Sequence, residues 1–485
     1  MATRSTPNLP DARYIAIYSR SNSKYLTLLK DGQLTFTASQ KVRLATHEVV
    51  YRTGLPKGVV LLRCANGRFW RLNESDSSIR ADWDSIPGVA DTACHFTTVM
   101  VREGVIAFRC VRNGKYATTG IHPGSYSAIA SSLDAHCEVE VSEASDTALT
   151  LPRHLMFKSD NDKFMAPYWE RDHCWQKFHK SSSDLSCVYE VAPLLDASLS
   201  LRSIHADRFL RLSPGWIWAD STSPISDVNC HYEPLKLSKS MLALKSASNN
   251  QYLKRYTNYW EDCLCAVETT IDDPTTHLIM SEAVSHRTVS NIRYLLDIAE
   301  TSDIQLLLVG EGALQNNTPN PVDLQVAVAL KQSVTQHQGW SNSVTQSLGV
   351  ATKFEVGVPE VTSVSGEITV GSSSSQTSEF GTSIERPVEF QTTYIVPKVP
   401  SGVTARVKVR CQKAKCRVPF TYTVKDTRID GVDLPASEDR IDGIYEGANA
   451  FDVRAIASFD GMAVPTESTL PVHVTSGSPQ LRTQK

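Results

Sequence analysis

One unit recurs six times in the first 290 residues, and it limits the fold more than any other feature of the chain. Each copy is an alternating strand, a short polar turn with Asn, Asp or Gly, then a basic or polar residue, an aromatic and usually an apolar residue. It reads Tyr14-Ile-Ala-Ile-Tyr18 with Lys24-Tyr25-Leu26, Val59-Val-Leu-Leu62 with Arg68-Phe69-Trp70, and Val105-Ile-Ala-Phe108 with Lys115-Tyr116-Ala117. It continues as His154-Leu-Met-Phe157 with Lys163-Phe164-Met165, Leu199-Ser-Leu201 with Arg208-Phe209-Leu210, and Leu242-Ala-Leu244 with Gln251-Tyr252-Leu253. The six aromatics are spaced by 44, 47, 48, 45 and 43 residues. The turn supplies residues that tolerate positive φ, and the aromatic after it can cover a neighbouring strand pair.

A period of this length, with about four short strands, fits a propeller blade or a trefoil lobe. Trp83-Asp84 is the single Trp-Asp dipeptide and does not recur with the repeat. The stretch Glu143 to Pro152 reads as a linker and divides the six units into three and three. Three units per set is the trefoil count. The expected domains are β-trefoils over 10–145 and 152–284.

The runs Arg68-Phe-Trp-Arg-Leu72 and Arg208-Phe-Leu-Arg-Leu-Ser213, the latter continuing into Trp216-Ile-Trp218-Ala-Asp220, carry a resemblance. On them, residues 13 to about 285 resemble the amaranthin-type agglutinins of plants, which carry two β-trefoils in tandem. That resemblance implies binding of galactose or N-acetylgalactosamine glycans and no enzymatic activity. It also implies that the loop after the first-domain aromatic motif takes part in sugar binding. That loop holds Asn73, Asp76, Ser77 and Ser78, followed by Trp83. Asp76 stands where the family has Asn, and no aromatic adjoins Ser77 and Ser78, so either a different specificity or a degraded site is expected. The equivalent stretch of the second trefoil offers Trp216, Trp218 and Asp220. An aromatic platform with nearby carboxylate or amide groups suits a sugar ring. The same three tryptophans also read as core or strand aromatics. Two further aromatic–acid clusters, Tyr168 to Asp172 and Tyr256 to Asp262, follow the repeat aromatic at similar distances.

From Val289 to Ala299 the apolar positions 289, 292, 295, 296 and 299 sit at helical spacing, which predicts a short connector helix within 285–301. Beyond it, residues 302–478 are expected to form an elongated antiparallel β module, so the whole fold is read as all-β apart from that helix. Seventeen of the 45 residues from 341 to 385 are Ser or Thr. Within them, Leu348, Val350, Phe354, Val356 and Val358 alternate with polar or small residues, as do Val364, Ile368 and Val370. Gly357-Val-Pro359-Glu-Val361 is expected at the tip. Two strands of about 9–11 residues can cross a bilayer when every backbone group is paired in a closed barrel. In such a barrel Val350, Phe354, Val356, Val358, Val361, Ile368 and Val370 would face lipid. Lys353, Glu355 and Glu367 would face the lumen. The plainer alternative is a half-buried hairpin with a Ser-rich surface. Elongated Ser/Thr-rich strands with one alternating insert resemble the aerolysin-like pore-forming module, which implies oligomerisation into a ring.

The remaining chemistry is sparse. The net charge of −3 gives no basic field for nucleic acid. No Gly-x-Ser-x-Gly elbow, phosphate loop or dinucleotide fingerprint occurs, and His173 and Cys174, as strand neighbours, point to opposite faces. No catalytic residue, cofactor or metal is expected. Cys263-x-Cys265 and Cys411-x4-Cys416 are read as small thiols rather than ligands. No signal peptide or 18-residue apolar run is seen, so the expected site of synthesis is the cytoplasm, with the nucleus also open and thiols reduced. The expectation is a glycan-targeted, ring-forming pore protein of plant-defence type, whose partners are glycoproteins or glycolipids, the membrane and further copies of itself, including a dimer in solution. The alternative is a stress lectin of cytosol or nucleus whose C-terminal module only oligomerises.

Overall fold

The structure is a computed structural model that describes residues 9, 12–50, 52, 54–56, 58–119, 125–342, 350, 352–371, 376–460, 467–476 and 480–483. Among these residues there is no α-helix; the helical elements are six three-residue 3₁₀ turns. Strands fall into two twelve-stranded sheets, one ten-stranded sheet and three two-stranded sheets.

The first twelve-stranded sheet closes on itself. Tyr14–Ser19 pairs with Thr46–Val50, which pairs with Val59–Cys64, then Phe96–Arg102, Val105–Cys110 and Val139–Glu143, and the last returns to the first. The other six strands form three hairpins that cap the barrel: Lys24–Leu28 with Leu34–Ala38, Phe69–Leu72 with Ile79–Trp83, and Tyr116–Thr118 with Ser127–Ala130. The second sheet repeats this plan with barrel strands from His154–Lys158 to Leu278–Glu282. A closed six-stranded barrel with three capping hairpins is a β-trefoil, so the chain carries two in tandem.

The repeated motif makes the barrel-to-cap transition. In all six copies the residue before the basic or polar position has positive φ: Ser23, Gly67, Gly114, Asp162, Asp207 and Asn250. In all six the register then slips between the aromatic and the residue after it. A bulge there re-aims successive side chains. The aromatic turns away from the barrel core, half-buried in five copies and buried as Phe69 in a side cluster, and the next residue (Leu26, Trp70, Ala117, Met165, Leu210, Leu253) enters the core. Four of the aromatics lie under a cation from the preceding strand, as in Arg63 over Phe69 and Lys158 over Phe164. The motif is therefore a corner, and in four copies its aromatic covers a cation.

Cysteine usage follows the same repeat. Ala45, Cys94, Cys137, Cys187, Cys230 and Thr276 are equivalent: each is buried and each backbone N–H closes a turn onto the carbonyl three residues earlier. Only a small side chain fits there. All eleven cysteines are unpaired and buried. Cys411 and Cys416 lie in different core clusters, which separates them as ligands.

Trp70 fills the centre of the first trefoil, edge-on to His47, Phe96 and Tyr126. Its Nε1–H donates to His47 Nδ1 at 3.3 Å, and His47 Nε2 faces the Leu26 carbonyl at 3.3 Å. Both contacts suit a neutral imidazole protonated on Nε2. Burial pulls the His47 pKa down to about 4. The unfolded chain takes up this proton near pH ~6.5. Below that pH the unfolded state binds more protons than the folded one, so stability falls until about pH 4. The expected loss across this window is about 3 kcal/mol. Urea unfolding between pH 7 and 4 measures it, and His47→Gln is expected to flatten that part of the profile.

The C-terminal module is built on strands of unusual length, Thr404–Arg428 and Ser437–Asp460, which pair antiparallel over most of their course. At ~3.3 Å per residue the longer spans roughly 80 Å. Glu300–Gln315 and Val284–Tyr294 both pair with Thr404–Arg428. The second of these strands lies where the connector helix was expected, and the chain there is strand with one 3₁₀ turn at Leu296–Ile298. The cause is a register shift between Ser290 and Arg293, with Asn291 at positive φ. The shift changes strand parity, so Val289 and Ile292 pack into one cluster although they are three residues apart. Arg287 clasps this strand to its neighbours by ion pairs to Glu282 of the second trefoil and Asp426.

Candidate functional site

Three places hold the residues singled out from sequence. The first is the turn of the hairpin Phe69–Leu72 and Ile79–Trp83. Asn73 Oδ1 accepts from the N–H and hydroxyl of Ser75, and Asp76 Oδ1 accepts from the N–H and hydroxyl of Ser78. Asp76 Oδ2 accepts from Arg80 at 3.1 Å, and Ser77 has positive φ. Slight burial raises the Asp76 pKa, but the hydrogen bonds from Ser78 and Arg80 outweigh it and hold the carboxyl below its usual range. The Asp76 oxygens are thus already spent on shaping the turn. Asn73 and Trp83 share a shallow depression with Glu74, Ser75, Asp91 and Arg112. Asp76, Ser77 and Ser78 lie outside it. Trp83 packs against the cluster of Val50, Leu61 and Phe69, as does Ile441 of the C-terminal module.

The second place is the cap of the second trefoil, where its three hairpins pair at the pseudo-threefold axis. The contacts there are Trp175 with Trp218, Lys177 with Cys263 and Trp216 with Cys265. The corresponding contacts of the first trefoil are Gln33 with Arg80, Thr35 with Ser125 and Ser78 with Ser127. Ser78-Ile-Arg80-Ala-Asp82 in one domain therefore corresponds to Trp216-Ile-Trp218-Ala-Asp220 in the other. The two aspartates play the same part, since Asp82 takes a double hydrogen bond from Arg71 and Asp220 takes one from Arg211. The tryptophans have no counterpart. Trp175 lies against Trp216 and Trp218 at 5.4 Å and Trp260 at 4.8 Å, and His173 stacks flat on Trp218 at 3.8 Å. Arg171 sits over Trp260 at 5.0 Å, which brings two hairpin loops side by side. On these loops Trp169 is 63% exposed and Tyr259 is 88% exposed. Asp172, Asn258 and Glu261 are exposed on the same loops. Five of the eight tryptophans thus gather in one cap, four of them (Trp175, Trp216, Trp218 and Trp260) packed around Trp175, with the Trp169 and Tyr259 rings open to solvent. The sequence carried this signal in its two aromatic–acid clusters, but repeat spacing explained them equally well.

The third place is the hairpin. Lys353–Val356 pairs with Gln376–Glu379, and Pro359–Val361 pairs with Ile368–Val370. The described parts of the arms are 353–361, 368–371 and 376–379. The tip is the turn from Thr362 to Glu367, closed by the Thr362 N–H on the Glu367 carbonyl, with Gly366 at φ +84°. This corrects the expected tip at Gly357–Val361. Gly357 serves a close approach instead: a Cβ there would meet Val370 at 2.9 Å. Leu348 lies outside the described residues, and Val350 is half-buried.

Phe354, Val358 and Val361 are buried, and Val356 and Ile368 pack half-buried against the same cluster, which contains Trp340, Phe380, Phe420 and Tyr445. Val370 is 38% exposed, and Lys353, Glu355 and Glu367 face solvent. Both pieces of the hairpin form two-stranded sheets of their own, and among the described residues no ladder joins them to the ten-stranded sheet. The fastenings are side-chain bonds. Asn449 accepts from the Val361 N–H at 2.9 Å and donates to its carbonyl at 2.8 Å. Tyr294 donates to Gly357 O at 2.9 Å, and Thr301 to Gly366 O at 3.0 Å.

No family model matches the chain, and no curated protein matches it. Among solved structures it is similar to a mosquitocidal holotoxin, at 10% identity over 66% of this chain and 38% of that one, with a TM-score of 0.34. It is similar to a lamprey immune protein at 14% identity over 75% and 87% of the two chains, TM-score 0.31. A designed three-fold symmetric protein, ThreeFoil, is similar at 11% identity over 27% and 99%, TM-score 0.24. The chain spans little more than a third of the holotoxin. Likenesses at such scores carry no argument, and the trefoil assignment stands on the two closed barrels.

Proposed function

We propose that this protein binds glycans through its trefoils and inserts the 353–379 hairpin into membranes as one unit of a ring-shaped β-barrel. The observation that carries the reading is the way the hairpin is stored. It is amphipathic, the nine residues from 353 to 361 suffice to cross a bilayer, and among the described residues it is pinned by side chains rather than by a strand ladder. Release breaks a few hydrogen bonds and exposes an apolar face that only lipid or a neighbouring copy can cover. A ring of such hairpins pairs every backbone group, as the bilayer requires. Lys353, Glu355 and Glu367 then line the lumen, with Glu367 near the turn.

The glycan platform of this reading is the cap of the second trefoil. Exposed Trp169 and Tyr259 offer faces for sugar C–H bonds, and Asp172, Asn258 and Glu261 offer acceptors. Trp169→Ala is expected to leave the melting temperature unchanged and to lower glycan-array signals at least tenfold. An unchanged array would move the site to the Asn73–Trp83 depression. Dye release from glycolipid-bearing liposomes tests the pore itself. Binding without release at any pH, or after protease nicking, would leave a lectin whose C-terminal module only oligomerises.

A further inference from the structure

Between Ser341 and Thr382 the chain holds five charged side chains: Lys353, Glu355, Glu360, Glu367 and Glu379. The strand register relates four of them. Lys353 is opposite Glu379, Glu355 is opposite Thr377, and Glu360 is opposite Thr369. Residues directly opposite in an antiparallel pair share a face. The face of Lys353 and Glu355 therefore also carries Glu379, and Phe354 and Val356 lie on the other.

Glu360 needs one more step. Val358 and Pro359 are both buried although they are neighbours, so the arm changes parity there, between its two ladders. Pro359 suits such a break, because it has no N–H to give to a ladder. The change keeps Val361 in the same cluster as Phe354 and Val358, and it leaves Glu360 on the side of Lys353 and Glu355. Glu367 precedes Ile368, which packs against that cluster, so it too falls on the polar side. All five charges thus share one face.

The soluble fold does not account for Glu360. It is half-buried, yet among the described residues its carboxylate meets no cation and no hydrogen-bond donor. The ionisable groups near it are the Cys416 thiol and the Tyr445 phenol. A carboxylate placed so without a partner destabilises the form that holds it.

Lys353 and Glu379 offset each other across the ladder. Glu355 and Glu360 each face a threonine, and Glu367 lies at the turn. The whole segment therefore keeps three negative charges per copy, four carboxylates against one ammonium.

Given the inserted hairpin proposed above, we infer that the barrel conducts cations and excludes anions, with Glu360 as one of three uncompensated carboxylates per copy along the lumen. Repeated around a ring, they draw in cations and repel anions. Glu355 and Glu360 are five residues apart, roughly 17 Å along the strand, so the charge is spread along the passage.

Reversal potentials of the full chain in planar bilayers containing glycolipid, under a potassium chloride gradient, test this. A potassium-over-chloride permeability ratio of about five or more is expected. Glu360→Gln is expected to lower that ratio about twofold without lowering the melting temperature, and Glu355→Gln, at an exposed position, to lower it alike. Glutamine at positions 355, 360 and 367 together is expected to bring the ratio to about one. A wild-type conductance without cation preference would overturn the inference and leave the pore reading standing. No conductance at all would overturn both. A ratio that falls in Glu355→Gln but not in Glu360→Gln would overturn the place given to Glu360 and set it against lipid.

Discussion

A Val370→Asp variant is expected to fold and bind glycan like the wild type and to release no dye from liposomes. Val370 is partly exposed in the water-soluble form, so a carboxylate there meets solvent. In the proposed barrel the same position faces lipid, where a charge near the midplane costs up to a few kcal/mol, roughly 2–4 for the basic residues and less for Asp. That cost is repeated once per subunit around a ring. The structure changes which substitution is informative. Aspartates at Val356 and Val358 also block a lipid face, but Val358 is buried among the aromatics that hold the hairpin. Loss of leakage in that pair would mix failed insertion with a damaged soluble fold. Leakage at wild-type rates from Val370→Asp would mean that the segment does not line a bilayer.

Asn449→Leu is expected to act in the opposite sense. Its side chain satisfies both backbone groups of Val361, whereas Tyr294 and Thr301 each hold a single carbonyl elsewhere on the hairpin. Leucine keeps the volume but leaves a buried N–H and a buried carbonyl without those partners. Each orphaned group costs about 1–3 kcal/mol, so the docked state loses about 3 kcal/mol and release quickens on the order of a hundredfold. Leakage should start earlier, while trefoil melting stays unchanged. Stopped-flow dye release measures the first, and differential scanning calorimetry the second. Unaltered kinetics would show that undocking does not limit insertion.

These expectations rest on features of unequal visibility in the sequence. The two trefoils were legible because each repeat spends its residues on local geometry. Ser23, Gly67, Gly114, Asp162, Asp207 and Asn250 are residues suited to positive φ, and they sit at fixed spacing from the aromatic. Three such corners close one barrel, so counting repeats also counted domains. The alternation around Phe354 and Val356 was legible for a similar reason, since strand side chains alternate by covalent geometry.

The strand Val284–Tyr294 was not legible, because its apolar spacing depends on a bulge that forms only when Thr404–Arg428 lies beside it. The hairpin tip was misplaced because Gly357 and Gly366 look alike in sequence. Only the packed arms reveal that one serves a close approach and the other a turn. The clustering of Trp175, Trp216, Trp218 and Trp260 needs three hairpins to meet on one axis, although their residues lie up to 85 positions apart.

By itself, then, the sequence determined a β-rich chain, its two threefold sets of corners and an amphipathic hairpin, since each follows from torsional preference and side-chain period over a few residues. Tertiary structure alone decided which aromatics are open to a ligand and which side chain latches the hairpin. Those are properties of distance and burial between segments far apart in the chain, and no local pattern records them.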